Sequence, residues 1–234
     1  MKNLGVLFLL SLGLLFNSCK KEVGPAGPDH TGNIIGFVTL YNSNGDKLNN
    51  GKGVEVSIDG NNPISVNTDS LGKYQLDNIK TGVYDLTFSK DSFSSYKRIG
   101  LQFIGGTDPV ISNVSLYVPS KNAVSNLTLA VVNSQVRAYG NIGHIGYYGY
   151  YRYFIGLGAS VSNTNYYSTG VLNLSGTTFN AFINTDLYPS GSSIFILIYG
   201  ITSGDAGYQD ITTGDIIYPS LNTVGSNVAN IVVP

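Results

Sequence analysis

The chain has a single cysteine, Cys19, and only two histidines, His30 and His144, in 234 residues. One thiol excludes a disulfide framework within the chain and any multi-thiolate metal site. Two histidines leave little room for a zinc centre or a His-based catalytic relay. Charge is scarce as well: 13 Lys and Arg stand against 14 Asp and Glu, 12% in all, for a net charge of −1. No basic surplus exists to displace counterions from phosphates, so nucleic acid is not an expected partner. Glutamate occurs only at Glu22 and Glu55, which argues against a glycosidase built on paired Glu side chains. These shortages point away from an enzyme, and no catalytic residue, metal ligand or cofactor is expected. What the chain has in quantity is Gly (29) and Tyr (17), with length enough for one or two domains that each bury a core.

Lys2 precedes an apolar run over residues 4–16 that only Gly and Ser interrupt. A bilayer span needs about 20 such residues. The shorter run suits the h-region of a signal peptide. It ends in Asn17-Ser18-Cys19-Lys20-Lys21, where a small residue stands before the unique Cys. This resembles the signal of bacterial lipoproteins, whose cleavage leaves the Cys as a lipid-modified N-terminus. The resemblance implies a signal peptide over 1–18, acylation of Cys19, and a membrane partner reached through that lipid. The resemblance also implies more than one acyl chain on the mature protein, which meets the two-signal requirement for stable anchoring. Lys20 stands where Asp would retain the protein at the inner membrane, so the resemblance implies the outer membrane, facing periplasm or surface. Residues 19–32 hold Pro25, Pro28, Gly24, Gly27 and Gly32 without apolar periodicity. They read as a tether that reaches at most about 45–50 Å. His30 is expected to be a linker residue.

From Asn33 onward no helical period is evident and alternation dominates. Val54, Val56 and Ile58 alternate with Glu55 and Ser57; Tyr84, Leu86 and Phe88 with Asp85 and Thr87; Ile99, Leu101 and Phe103 continue the pattern. Asn44-Gly45-Asp46, Asp59-Gly60-Asn61 and Thr81-Gly82 supply turn chemistry between the runs. About seven short strands over 33–118 predict a β-sandwich. The ordered stretches Gly36-Phe37-Val38, Gly53-Val54-Glu55-Val56-Ser57-Ile58, Thr68-Asp69-Ser70-Leu71-Gly72-Lys73-Tyr74-Gln75-Leu76 and Gly82-Val83-Tyr84-Asp85-Leu86 carry a resemblance. They are similar to the carboxypeptidase-regulatory-like domain, a prealbumin-like sandwich common in bacterial surface lipoproteins and outer-membrane nutrient transporters. That resemblance implies support or binding rather than catalysis. Gly72 is expected to allow the reversal after Asp69, with Tyr74 and Leu76 pointing inward.

Pro119-Ser120-Lys121-Asn122 marks a boundary, read as a hinge over 119–123, and beyond it the composition shifts. From 121 to 234 the only basic residues are Lys121, Arg137 and Arg152, and the only acids Asp186, Asp205, Asp210 and Asp215. Strand-like runs recur at 127–132, 135–138, 150–157, 178–183, 194–201 and 227–233. Asn133-Ser134 and Ser190-Gly191-Ser192 are turn candidates. The spacing over 124–234 suits a second sandwich that resembles fibronectin type III or another immunoglobulin-like module. The expected fold class is therefore all-β, two sandwiches behind a lipoprotein signal.

The best candidate for chemistry is the aromatic stretch 147–154, with Tyr166 and Tyr167 nearby. On a strand, Tyr150, Arg152 and Phe154 share one face, and Tyr151 and Tyr153 the other. Tyr148, Tyr150 and Arg152 are the candidate binding residues, because flat rings beside a guanidinium suit stacking on a sugar or a peptide. Strands also favour Tyr, so packing accounts for the same residues. His144 stands alone in a Gly-rich loop, and Asp205, Asp210 and Asp215 lack the alternating oxygen ligands of a calcium loop. The resulting reading is a non-enzymatic, lipid-anchored envelope protein acting as a binding or structural module. A carbohydrate-binding accessory of a glycan-uptake system, or an enzyme that brings two of the four C-terminal acids into one cleft, are the alternatives. Labelling with a fatty-acid analogue is expected to mark the wild-type chain and not Cys19→Ala; equal labelling of both overturns the lipidation reading.

Overall fold

The computed structural model describes residues 30–60, 63–106, 110–143, 148–202, 207–210 and 213–234. Cys19, His144, Tyr147 and Asp205 lie outside these residues. Every element described is a strand, and no helix occurs among the described residues. The first part of the chain contributes β1 (Thr31–Tyr41), β2 (Glu55–Ile58), β3 (Ile64–Asn67), β4 (Lys73–Lys80), β5 (Gly82–Ser89), β6 (Tyr96–Phe103), β7 (Val110–Ile111) and β8 (Val114–Tyr117). The second contributes β9 (Ala123–Val132), β10 (Gln135–Gly143), β11 (Tyr148–Gly156), β12 (Ser168–Ser175), β13 (Thr178–Phe182), β14 (Ser193–Ile201), β15 (Tyr208–Gln209), β16 (Ile216–Ile217) and β17 (Ala229–Val232).

In the first part, β1 lies antiparallel to β4 and parallel to β7 and β8, opposite a second sheet ordered β3-β2-β5-β6. The alternation seen in the sequence builds the core between them. Tyr74 and Leu76 of β4, Val56 and Ile58 of β2, and Leu86 and Phe88 of β5 are all buried in one cluster with Ile34, Val38 and Leu40 of β1. The alternation of β4 slips once. Gly32 pairs with Ile79 but Ile34 with Leu76, so β4 carries one residue more than β1 over this interval. Asn78 absorbs it with a φ of 57°, and Ile79 is thereby returned to the core.

The reversal into β4 is built as the sequence predicts. An Asp69 carboxylate oxygen accepts the N–H groups of Leu71 and Lys73, each at 2.9 Å. Gly72 takes a φ of 81°, and a Cβ there would collide with the Val38 carbonyl. That close approach exists because the Val38 N–H donates to the Gly72 carbonyl at 2.8 Å. Turn and sheet thus depend on the same missing side chain.

In the second part, a three-stranded sheet β13-β10-β9 faces a four-stranded sheet β12-β11-β14-β17. Val136 and Ala138, Tyr151, Tyr153 and Ile155, and Ile194, Ile196 and Ile198 fill the space between. The predicted turn Asn133-Ser134 has φ of 51° and 59°, the pair of left-handed residues a two-residue hairpin loop requires. A second apolar layer, not visible in the sequence, lies on the outer side of β11 and β14: Phe154, Val161, Leu197, Ile201 and Leu221, joined by Tyr166, Tyr199 and Tyr218.

The cores of the two parts share no residue. Hydrogen bonds tie the chain where they meet. Ser120, in the stretch read as a hinge, is buried; its N–H donates to the Ser220 carbonyl at 2.9 Å, and its hydroxyl oxygen accepts the Asn122 N–H at 3.1 Å. Asn222 Nδ2 donates to the Asn122 carbonyl at 2.7 Å, and the Ser94 hydroxyl donates to the Pro219 carbonyl. The Tyr96 and Tyr208 rings meet edge-on with centroids 4.9 Å apart.

Gly72→Ala is expected to lower stability by about 1–3 kcal/mol, because it places a Cβ both in a left-handed conformation and against a carbonyl. Leu71→Ala, at a side chain 79% exposed, is expected to stay within about 0.5 kcal/mol of wild type. Urea melts of the two variants check the pair; equal costs overturn this account of the turn.

Candidate functional site

β11 is the most aromatic strand of the chain, and pairing fixes where each of its rings goes. It lies between β12 and β14, so its backbone is bonded on both edges. Tyr151 and Tyr153 point into the main core; Arg152 and Phe154 point to the outer side of the sheet. The outer face is not open. Segment 220–226 runs along β14, with Asn222 and Ser226 N–H groups donating to the Gly200 and Ile198 carbonyls at 2.8 Å each. Loop 157–167 covers the other side through Val161 and Tyr166.

An aromatic box closes over Phe154. The rings of Tyr166, Tyr218 and Tyr199 stand edge-on to it at 5.0, 5.7 and 5.9 Å. The Arg152 guanidinium carbon lies 4.0 Å from the centroid of the Tyr218 ring. Arg152 is only 9% exposed, so this ring is part of what stabilises a largely desolvated cation. The Tyr166 and Tyr218 hydroxyls are 3.3 Å apart. Burial, followed by that hydroxyl contact, pushes the Tyr166 phenol up to about 12. Burial likewise pushes Tyr151 up to about 12 and raises Tyr153 and Tyr199. These shifted phenols keep their protons at neutral pH, which suits them to packing and hydrogen bonding rather than to proton abstraction.

Beside the box, loop 157–167 forms a cleft of about 270 Å³ lined by Leu157, Ser160, Asn165, Tyr166 and Tyr167 among others. The loop is held by its own groups. The Ser162 hydroxyl oxygen accepts the Thr164 and Asn165 N–H groups at 3.2 and 2.9 Å. Asn165 Nδ2 donates to the carbonyl and hydroxyl oxygens of Ser160 at 3.0 and 3.1 Å, which orients its amide at the cleft. Tyr167 is anchored to the sheet by its N–H, 2.7 Å from the Ile155 carbonyl, yet its side chain is 61% exposed and Leu157 is 63% exposed. The Tyr167 ring lies 5.4 Å from that of Tyr188, which fixes one side of it.

The residues singled out from the sequence separate. Tyr150 is exposed at 37% and stands across from the exposed Asn173 of β12. Arg152, two residues along on the same face, is itself buried, beneath the ring of Tyr218. Tyr148 opens β11, and its ring lies outside the described atoms. Among the acids, the Asp210 N–H donates to the Asp215 carbonyl at 2.8 Å where β15 and β16 join. Asp186 sits in a turn, its N–H bonded to Asn184 Oδ1 at 2.9 Å. No group of three or more His, Cys, Asp or Glu residues is placed to hold a metal ion among the described residues. Tyr199, Tyr218 and Asn165 were missed. Tyr218 reaches Arg152 from the far end of the chain, and nothing in local periodicity signals such a contact.

No family model and no curated protein matches the chain. Among solved structures it is similar to a candidate carbohydrate-binding protein from Bacteroides uniformis, at 13% identity and a TM-score of 0.34, over 88% of this chain and 100% of that one. It is also similar to a DUF3823-family protein from Parabacteroides merdae, at 18% identity and a TM-score of 0.33, over 87% and 100%. A third is the full-length major pilin SpaD from Corynebacterium diphtheriae, at 10% identity and a TM-score of 0.29, over 87% and 66%. Likeness at these scores is too coarse to carry a role from those proteins to this chain.

Tyr218→Ala is expected to cost about 2–4 kcal/mol, since it uncovers Phe154 and removes the ring over a buried cation. Tyr218→Phe keeps the ring and is expected to cost no more than about 1 kcal/mol, the share of its hydroxyl contact. Thermal melts distinguish the two; equal costs mean that the hydroxyl, not the ring, holds this layer together.

Proposed function

We propose that the chain is a non-enzymatic binding module of the cell envelope, held at the outer membrane by lipid on Cys19, whose second sandwich takes a neutral carbohydrate in the cleft beside Tyr167. The observation that carries this reading is the pairing of an outward-facing ring with oriented polar groups in one cleft. Tyr167 offers a flat apolar face, while Ser160 and Asn165 supply hydroxyl and amide groups. A sugar presents the same combination, a C–H face and a rim of hydroxyls, which rings and amides match without charge. The lining holds no carboxylate, Lys, Arg or His, so a neutral ligand meets no unbalanced charge there. The volume, about 270 Å³, lies just below the range of small-molecule sites, which starts at about 300 Å³, and suits a single sugar ring. The tether then gives the module reach from the membrane to a glycan, although Thr31 and Gly32, the last two residues of the stretch read as a tether, belong to β1.

Glycan arrays of neutral saccharides test the reading. Tyr167→Ala is expected to weaken binding about tenfold or more, the worth of one stacked ring, while the melting temperature holds. Wild-type protein that binds no neutral saccharide, or a variant that binds as well as wild type, overturns it.

A further inference from the structure

The outer face of the three-stranded sheet β13-β10-β9 sets a cation among rings and amides. β10 sends Val136, Ala138 and Ile142 into the core, so Arg137, Tyr139 and Asn141 point away from it. Register fixes their neighbours. Arg137 lies opposite Phe182 of β13, and Tyr139 lies between Asn180 of β13 and Thr128 of β9. Phe182 is 43% exposed, and Thr128, Asn141 and Asn180 are exposed as well. Phe182 and Tyr139 are diagonal neighbours on one face, about 7–8 Å apart by sheet geometry. Arg137 Nη1 donates to Asn180 Oδ1 at 3.2 Å, which holds the guanidinium across the sheet instead of extended into water. None of the outward residues paired over these three strands is acidic.

We infer that this face binds an acidic polysaccharide, a chain of sugars bearing carboxylates, laid across the strands. Two rings on one face, Phe182 exposed and Tyr139 half-buried, stack on successive sugars. The amides and the Thr128 hydroxyl between them bond to hydroxyls, and Arg137 pairs with a carboxylate in the planar geometry that guanidinium favours. Charge complementarity chooses this ligand over a neutral one: Arg137 is a cation on a face without a carboxylate. Polar Thr128, Asn141 and Asn180 stand between and beside the rings, with Ala130 and Val132 of β9 completing the face, and a protein partner is an outcome of the test. The inference is independent of the Tyr167 cleft, which lies at the end of the opposite sheet.

The probe is polygalacturonate, with dextran as the neutral control, in affinity electrophoresis of the full-length chain in detergent. In the Tyr167→Ala variant, which lacks the ring of the neutral-sugar cleft, retardation by polygalacturonate and not by dextran is expected, and it should weaken as salt rises from about 0.05 to 0.5 M. Arg137→Gln is expected to weaken binding more than about tenfold and Phe182→Ala several-fold, while Arg137→Lys keeps part of it. Tyr167→Ala is expected to leave polygalacturonate binding unchanged, which separates this face from the cleft. Both exposed-face variants should melt with the wild type; where Phe182→Ala does not, Arg137→Gln decides. No retardation, equal retardation of the Tyr167→Ala variant by dextran, or full binding by Arg137→Gln overturns the inference. A copurifying protein displaced by Arg137→Gln, with no polysaccharide bound, assigns the face to a protein partner and overturns it too.

Discussion

The structure of the second sandwich depends on one constraint: β11 must be covered on both faces. Its side chains alternate, and both sets are large. Tyr151, Tyr153 and Ile155 fill one side, and Arg152 and Phe154 stand on the other. A two-layer sandwich covers only the first set. The second draws loop 157–167 and segment 220–226 onto the outer side of the sheet, and these create an aromatic box and the cleft at its edge. Burying Arg152 makes that outer layer selective. A desolvated guanidinium tolerates few neighbours, and the face of Tyr218 is one of them.

The segment that brings Tyr218 to Arg152 also joins the two parts of the chain. Two residues beyond that ring, the Ser220 carbonyl accepts the Ser120 N–H and its hydroxyl oxygen accepts the Thr202 N–H at 3.1 Å. Ser220, Thr202 and Ser120 are all buried, so their polar groups are held by one another in place of water. The outer layer of the second sandwich and the seam with the first are therefore built from one stretch of backbone. A change that loosens one acts on the other.

Low charge shapes what the surfaces can recognise. With 12% of residues charged, the molecule exerts little long-range steering, and selection falls to short-range groups. Rings, amides and hydroxyls recur at both surfaces considered, the Tyr167 cleft and the face around Arg137. A single cation separates them. Among the described residues, buried tyrosines hold their protons, and Asp210 and Asp215 meet through their backbones.

By itself, the sequence determined what local chemistry decides. Asp69 and Gly72 specify their turn because an Asx bond and a positive φ are properties of those residues. Asn133-Ser134 specifies its hairpin, and alternation in β2, β4 and β5 specifies strands and their buried side, while the unbroken apolar run of β14 specifies a strand without choosing a side; the all-β class follows. β12 escaped notice because Ser168–Ser175 is mostly small or polar, and it is a strand through its pairing with β11. Among the described residues eight strands stand in the first part where about seven were expected; the two-residue β7 pairs with β1. Tertiary structure alone decided the rest. Period-two alternation states that Arg152 and Tyr151 face opposite ways, but not what covers either face. The cover for Arg152 comes from Tyr218, and the bonds that hold Ser120 come from Ser220, each brought from far along the chain by the closing of two sheets. Contacts between residues so distant leave no trace in local pattern, because they depend on where folded sheets lie and not on the residues between.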